Sequence, residues 1–243
     1  MKIKTMLIGS IILLTTFLIY LTTLDKLVYF LPLGDSLAQG KTPYGEKDYS
    51  YNDYLKDYIN NKGILEKYID GFIVDDQRTT DLIKDIEDNK RIMIGNKKQT
   101  IKNALIKADL VTLSIGMNDL YYKLNTANLE NNEIYNHIDE MINDIDALFK
   151  ILRKYCKEDI IVINYFRSTV LLDNPQIKEF FDYANTLLKN KSDEYKIEFV
   201  SIDKLLENNT LYLPMTTSYL PSRNGYDAIS KKIIKRIDKT LFK

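Results

Sequence analysis

Residues able to carry out acyl chemistry follow apolar stretches at two points of the chain. In Gly34–Leu37 the glycine permits a tight strand-to-helix turn, which would leave Ser36 at a helix N-terminus with its hydroxyl exposed. In Gly116–Asp119, the side-chain amide of Asn118 can donate to an oxyanion that forms at the serine. Either motif alone is also typical of an ordinary turn followed by a helix cap. Together they indicate a serine nucleophile with an oxyanion donor.

The elements that must position these residues are five short apolar strands separated by amphipathic helices. The clearest helix is predicted over Glu133–Tyr155 and the last over Gly225–Phe242, because both have apolar residues at helical spacing. This alternation predicts one α/β domain, a three-layer α/β/α sandwich around a five-stranded parallel sheet. Functional groups in such folds gather at the carboxyl ends of the strands. The predicted strands are Leu27–Leu33, Tyr68–Val74, Leu110–Ile115, Ile160–Tyr165 and Ile197–Ile202.

From Tyr29 to the C-terminus the chain resembles the GDSL (SGNH) hydrolase family, in particular its bacterial lipase/acylhydrolase-like members. The resemblance implies an SGNH/flavodoxin-like fold and an esterase or acylhydrolase activity. It makes Ser36 the nucleophile and Ser36, Asp76 and Asn118 the oxyanion-hole candidates, with Gly34, Asp35, Gly116 and Asp119 lining the site. The segments that carry it are Gly34–Leu37 for the first block, Asp75–Leu82 for the second, Gly116–Asp119 for the third and Leu220–Tyr226 for the fifth.

Two blocks depart from the family pattern. Where the family has His-Pro-x-x-x-Gly-Tyr, this chain has Leu220 in place of the histidine, and Thr217 replaces the aspartate three residues earlier. Pro221 and the Gly225-Tyr226 pair fix this register. The second-block glycine, whose N–H would line the oxyanion hole, is replaced by Asp76. A carboxylate there repels a forming oxyanion unless it is protonated or turned away.

The identity of the general base stays open in the sequence. The only histidine, His137, lies on the flank of the predicted long helix and is interpreted as structural. Asp35, Asp76 or Asp119 could serve instead if burial raised the pKa of that carboxyl. The sequence therefore leaves two hypotheses: an esterase or acylhydrolase with a degenerate triad, and a catalytically inactive protein that binds an acylated glycan, lipid or protein partner. An interaction scaffold with an unused pocket is a third reading.

Several tyrosines follow the nucleophile block. Tyr51, Tyr54 and Tyr58 have helical spacing and are expected to pack the first long helix. Tyr44 and Tyr49 either pack likewise or form an aromatic rim for a sugar or acyl ligand.

Composition limits the other function classes. The 243 residues suffice for one domain with a sizeable core. Lys plus Arg equals Asp plus Glu at 34 each, so no net charge favours nucleic acid. The single cysteine, Cys156, rules out an intrachain disulfide. No phosphate-binding glycine loop or ligand cluster is evident, so no metal or cofactor is predicted, and the oligomeric state stays open.

The N-terminus predicts a membrane anchor. Lys2 and Lys4 precede Met6–Leu24, an uncharged run of 19 residues, close to the ~20 residues that span a bilayer as a helix. No small-x-small cleavage site follows, and the lysines favour a cytoplasmic N-terminus. We expect residues 1–26 to be a single-pass transmembrane signal anchor and residues 27–243 an extracytoplasmic domain at a bacterial cell membrane. A cleaved, secreted form and a buried helix are the alternatives.

Overall fold

The computed structural model describes residues 26–126, 131–215 and 218–240. Its strands are β1 Val28–Gly34, β2 Leu65–Tyr68, β3 Arg91–Ile94, β4 Lys97–Thr100, β5 Leu110–Ser114, β6 Asp159–Ile163 and β7 Glu198–Val200. Five of them form a parallel sheet in the order β2-β1-β5-β6-β7, while β3 and β4 form an antiparallel hairpin. The predicted five-stranded parallel sheet is thereby confirmed.

Helices connect the strands and cover the sheet. They are α1 Ser36–Gln39, α2 Tyr51–Asn61, α3 Thr79–Glu87, α4 Ile101–Lys107, α5 Met117–Thr126, α6 Asn131–Tyr155, α7 Pro175–Glu194, α8 Asp203–Leu206 and α9 Arg223–Thr240, with a 3₁₀ turn at Thr169–Leu171. The helix α2 packs against α9, whereas α6 packs against α3, α4, α5 and α7. Because β2 lies on one side of β1 and the later strands on the other, right-handed crossovers place these two groups on opposite faces.

The interior strand β1 ends at a glycine for a steric reason. All seven of its residues are buried, as expected for a parallel strand covered on both faces. At Gly34, where φ is +130°, an added Cβ would lie 2.0 Å from the carbonyl oxygen of Ser114 on the neighbouring β5. Only glycine therefore allows β1 to pass β5 closely and turn at once into α1.

The second strand is displaced from its predicted position. The prediction of Tyr68–Val74 was wrong: β2 ends at Tyr68, and Ile69 and Phe72 are buried from a turn at the carboxyl edge of the sheet. In the sequence, a short apolar run that is buried within a loop has the same pattern as a strand that is buried on both faces. The hairpin β3–β4 was not predicted, because its residues are largely exposed and lack a strong apolar alternation.

The predicted anchor lies outside the described residues except for Lys26, as does Thr217. Across the described ranges, none of the helices combines the length and apolar character needed to cross a bilayer.

Candidate active site

Ser36 is the first residue of α1 and lies at the carboxyl edge of the sheet. The prediction of an exposed hydroxyl was wrong: Ser36 is 1% exposed, because Asp75 and Asp76 contact its Oγ. The preceding residue, Asp35, caps this short helix, since its Oδ1 accepts a hydrogen bond from the Leu37 N–H at 3.0 Å. The turn over residues 74–77 is held beside Ser36 because the Val74 N–H donates to the Gly34 carbonyl at 3.1 Å. The second-block segment therefore meets the nucleophile block at the end of β1.

The hydroxyl of Ser36 is hydrogen-bonded to two consecutive aspartates. Its Oγ lies 2.5 Å from Asp75 Oδ1 and 3.1 Å from Asp76 Oδ1. A hydroxyl has one proton to donate, and the shorter contact, to Asp75, is the stronger. In return, the backbone N–H of Asp76 donates to Ser36 Oγ at 2.9 Å. The serine thus has a proton acceptor and a backbone donor at once.

Lys41 completes this cluster. Its Nζ lies 2.7 Å from Asp75 Oδ2 and 3.7 Å from Asp76 Oδ2. Burial pushes the pKa of Asp75 upward, but the hydrogen bonds from Lys41 and Ser36 outweigh it and leave the pKa below its ordinary value. The hydrogen bond to Asp75 in turn raises the pKa of Lys41 above its ordinary value. At neutral pH this pair is therefore an ammonium and a carboxylate, and Lys41 cannot act as a base.

Asp76 has the backbone conformation of a glycine position. Its φ is +54°, in the left-handed region, which aims its N–H at Ser36. Its side chain is 75% exposed, yet Oδ1 is within reach of Ser36 Oγ. The backbone here suits an oxyanion donor, whereas the carboxylate places a negative charge beside it.

Asn118 reaches the same turn from the start of α5. Its Nδ2 donates to the backbone carbonyl of Gln77 at 3.1 Å, one residue after Asp76. Its Oδ1 accepts a hydrogen bond from the hydroxyl of Tyr219, whose ring stacks on that of Tyr121 at 4.6 Å between centroids. Ser36 and Asn118 thus bind neighbouring residues of one turn, and Tyr219 fixes which way the amide faces.

The remaining sequence candidates do not contact the serine hydroxyl. The carboxyl of Asp35 turns inward, where Oδ1 also accepts from Ser114 Oγ at 3.3 Å, and burial raises its pKa to about 7. The carboxylate of Asp119 accepts from the N–H and hydroxyl of Thr79, both at 3.1 Å, and so holds the start of α3. Gly116, with φ of +92°, lies under the Tyr165 ring, where a Cβ would clash.

His137 lies behind the site. Its Nε2 donates to the backbone carbonyl of Asp119 at 3.1 Å, and Nδ1 lies 4.0 Å from Glu140 Oε2. Leu220, which stands where the resemblance puts the histidine, is half-buried next to Tyr219. Within the described residues, the acceptors that contact Ser36 Oγ are therefore carboxylates.

The two tyrosines predicted as a possible aromatic rim, Tyr44 and Tyr49, have different surroundings. Tyr49 donates a hydrogen bond to Asp57 and packs edge-on against Tyr54, on the flank of α2. Tyr44 is 73% exposed in the loop that follows α1. Of the two rim candidates, only Tyr44 is free to meet a ligand.

Sequence reasoning missed Asp75, Lys41 and Tyr219 as site residues. Asp75 is adjacent to the candidate Asp76, but one residue of register decides which side chain meets the serine. Tyr219 precedes Leu220, in a segment where the sequence directed attention to the lost histidine. Lys41 follows the glycine that ends α1 and had no motif to identify it.

This arrangement can polarise a hydroxyl, accept its proton on a carboxylate and donate N–H groups to an oxygen that gains charge. These are the elements of acyl transfer through a serine.

Comparisons with known proteins identify a matching family model and solved structures with a similar fold. A model of the GDSL-like lipase/acylhydrolase family matches residues 33–228. The lipase Lip_vut3 from a goat rumen metagenome superposes with a TM-score of 0.70 at 16% identity, over 85% of this chain and 95% of that one. The acetylxylan esterase Axe2 of Geobacillus stearothermophilus gives 0.62 at 18% identity, over 88% and 95%. Three separate catalytic mutants of Axe2 replace a serine, an aspartate and a histidine, respectively. The aspartate and the histidine are three positions apart. No curated protein matches the sequence.

Proposed function

The chain belongs to the GDSL-like lipase/acylhydrolase family, and we propose that it hydrolyses acyl esters with Ser36 as nucleophile and Asp75 as general base. The observation that carries the proposal is the 2.5 Å contact between Ser36 Oγ and Asp75 Oδ1. Axe2 has a catalytic aspartate and histidine three positions apart; at that spacing this chain has Thr217 and Leu220, neither of which can accept a proton from serine at neutral pH.

In the proposed first half-reaction, Ser36 Oγ attacks the ester carbonyl carbon while its proton passes to Asp75. The carbonyl oxygen gains the charge and receives hydrogen bonds from the Asp76 N–H and from Asn118 Nδ2. The C–O bond to the alcohol then breaks, and the alcohol leaves with the proton held by Asp75. The product is an acyl ester of Ser36.

In the second half-reaction, water attacks the acyl group while Asp75 takes one of its protons. The bond to Ser36 Oγ breaks, the carboxylic acid leaves and the proton returns to the serine. Lys41 orients Asp75 and favours its ionised form before each proton transfer.

The proposed enzyme is slow compared with a complete triad. A carboxylate whose pKa is lowered is a weaker base than an imidazole, and general-base catalysis contributes ~10²–10⁴-fold when the pKa of the base is near the working pH. Asp76 adds a repulsive charge beside the forming oxyanion. We therefore expect measurable but low turnover on short activated esters.

We further propose that the domain is held outside a bacterial membrane by the apolar run Met6–Leu24. The support is the sequence: two lysines precede this run of 19 residues and no cleavage site follows it. An acylated ligand at the cell surface would then be the substrate.

The decisive experiment is p-nitrophenyl acetate and butyrate hydrolysis by the purified full chain, compared with Ser36→Ala and His137→Gln. Loss of turnover in Ser36→Ala, with near-wild-type turnover in His137→Gln, is the expected result. The glutamine retains a donor for the Asp119 carbonyl, so it controls for the structural role of His137. Wild-type turnover no higher than that of Ser36→Ala would overturn the proposal and favour binding of an acylated glycan, lipid or protein without hydrolysis.

A further inference from the structure

The described chain enters the domain at the amino ends of the parallel strands, opposite to the carboxyl ends where Ser36 lies. We call this side of the sheet the amino edge. Lys26 Nζ lies 2.7 Å from Asp109 Oδ1 and 3.2 Å from Glu158 Oε2, and these two acidic residues immediately precede β5 and β6. The Tyr29 N–H also donates to Asp109 Oδ2 at 2.9 Å. Lys26 is 61% exposed, so its ion pairs are weak, but the hydrogen bond from the Tyr29 N–H to Asp109 attaches the start of β1 to this amino edge.

The length of β1 separates the entry point from the nucleophile. The strand has seven residues, and at ~3.3 Å per residue it spans about 20 Å. Only Asp25, Lys26 and Leu27 separate the apolar run from β1, and three residues reach at most ~10 Å. With such a short tether, an anchor keeps the amino edge close to the membrane and allows Ser36 to lie up to about 20 Å farther out.

The amino edge has side chains suited to a membrane surface. Leu27 is 51% exposed and Ile106, near the end of α4, is 62% exposed. Exposed lysines lie at the same edge because α4 and α6 end there, namely Lys107, Lys154 and Lys157. Exposed apolar side chains beside lysines fit the boundary between acyl chains and anionic headgroups.

The carboxyl edge exposes carboxylates next to Ser36, and the exposed ring of Tyr44 follows α1 there. The side chains of Asp75 and Asp76 are 42% and 75% exposed. A cavity of about 290 Å³ lies beside the C-terminal end of α1, where Ala38 and Gln39 line it and Ser36 does not. Polar and charged side chains contribute much of its lining, including Lys47, Ser50, Asp53 and Asp70. Such walls suit a hydrated ligand better than an aliphatic chain.

We infer that the catalytic edge faces away from the membrane and that the substrate is an acyl ester carried on a hydrated polymer, not a lipid of the anchoring membrane. The inference deepens the proposed function and rests on both of its parts, the anchor and the hydrolysis. The two parts can be tested separately in the same vesicles.

Orientation is measured first, without reference to activity. The full chain is reconstituted in vesicles of phosphatidylcholine and phosphatidylglycerol as Ile106→Cys or Tyr44→Cys, each labelled with a fluorophore. Both positions are exposed, at 62% and 73%, while the native Cys156 is completely buried, and the labelled wild type controls for its reaction. Nitroxide headgroups should quench the probe at position 106 and leave that at position 44 bright. Equal quenching would overturn the inference.

Substrate access is measured second, with one chromogenic butyrate ester attached either to dextran or to a lipid headgroup in the same vesicles. The wild type should cleave the dextran ester and leave the lipid ester, whereas an added soluble esterase should cleave both. A long Gly/Ser insertion between Asp25 and Lys26 should let the domain turn and restore cleavage of the lipid ester. Equal cleavage of both esters by the wild type would contradict the inference.

The failures are distinguishable. Protein that does not float with the vesicles refutes the anchor, and with it this inference. The expected quenching without Ser36-dependent cleavage of either ester refutes the proposed hydrolysis and the substrate assignment, while the orientation stands.

Discussion

The Ser36 hydroxyl lies 2.5 Å from one oxygen of Asp75, and the other oxygen of that carboxylate lies 2.7 Å from the ammonium of Lys41. The carboxylate is therefore oriented from both sides. In a Ser-His-Asp triad an imidazole stands between the hydroxyl and the acid; here the acid meets the hydroxyl directly. This difference determines how the site should respond to mutation and pH.

Asp75→Asn should lower kcat/KM by about 10²–10⁴-fold, because an amide cannot accept the serine proton. Hydrolysis of p-nitrophenyl butyrate measures the effect. Asp88→Asn is the matched control, since Asp88 is exposed at the end of α3 and does not contact Ser36. Equal losses in the two variants would show that Asp75 contributes only local structure.

In the pH–rate profile, activity should fall at a lower pH than it would with a histidine as the base. Asp75 is functional when ionised and its pKa is below the ordinary value of 3.8, so kcat/KM should stay level down to about pH 4. An imidazole base would lose activity below its ordinary pKa of ~6.5. A fall near that value in the wild type would exclude Asp75 as the base.

Lys41→Met should shift this fall in activity, the acid limb of the profile, to higher pH. Removing the ammonium removes the main opposite charge that lowers the pKa of Asp75 while its burial remains, so protonation occurs at higher pH. Lys41→Arg keeps the charge and should keep the limb near its wild-type position. An unchanged limb in Lys41→Met would show that the rate does not depend on this ion pair.

Asp76→Asn should raise kcat. The substitution removes a negative charge beside the forming oxyanion, while asparagine tolerates the φ of +54° that directs the N–H to Ser36. Relief of about 1 kcal/mol corresponds to roughly fivefold in rate. Asp76→Gly should behave similarly, since glycine adopts this conformation readily. A fall in kcat for both variants would instead make the Asp76 carboxylate part of the proton acceptor.

Much of the fold could be predicted from the sequence because parallel strands covered on both faces are continuous apolar runs. β1, β5 and β6 each lie within a residue or two of their predicted bounds. Residues 69–74 misled the prediction, since Ile69 and Phe72 are buried from a turn.

The candidate site was only partly predictable. Ser36 and Asn118 follow strands, so topology brings their blocks to one edge. Whether Asp75 or Asp76 meets the serine depends on the backbone angles of a single turn, which no pattern encodes. The Tyr219 contact depends on how an irregular segment packs on Tyr121.

Asp35 should make the protein less stable as the pH rises. Burial raises its pKa to about 7 in the folded state, above the ordinary value of 3.8 that applies when the chain is unfolded. Between these two pKa values the folded state binds more protons than the unfolded state. The stabilising contribution of Asp35 is therefore complete below about pH 4 and is lost as the pH rises through 7. The difference bounds the loss at ~4 kcal/mol.

Asp35→Asn tests this relation, because asparagine keeps the oxygen that caps α1 but cannot ionise. Urea unfolding at pH 5 and pH 8 should show a smaller decrease in the variant than in the wild type. An equal decrease in both proteins would mean that Asp35 does not titrate in this range.

Tyr219→Phe should lower kcat about tenfold and leave KM nearly unchanged. Without the hydroxyl, Asn118 Oδ1 loses the donor that fixes the amide, and the amide can rotate so that Nδ2 no longer faces the forming oxyanion. The ring still stacks on Tyr121, so the segment should keep its packing and the melting temperature should change little. Tyr122→Phe, at an exposed position of α5, is the matched control. In an Asn118→Ala background, Tyr219→Phe should have no further effect on kcat, because the group that it positions is gone. A full additional loss in that background would show that the tyrosine hydroxyl acts on the substrate itself and not through Asn118.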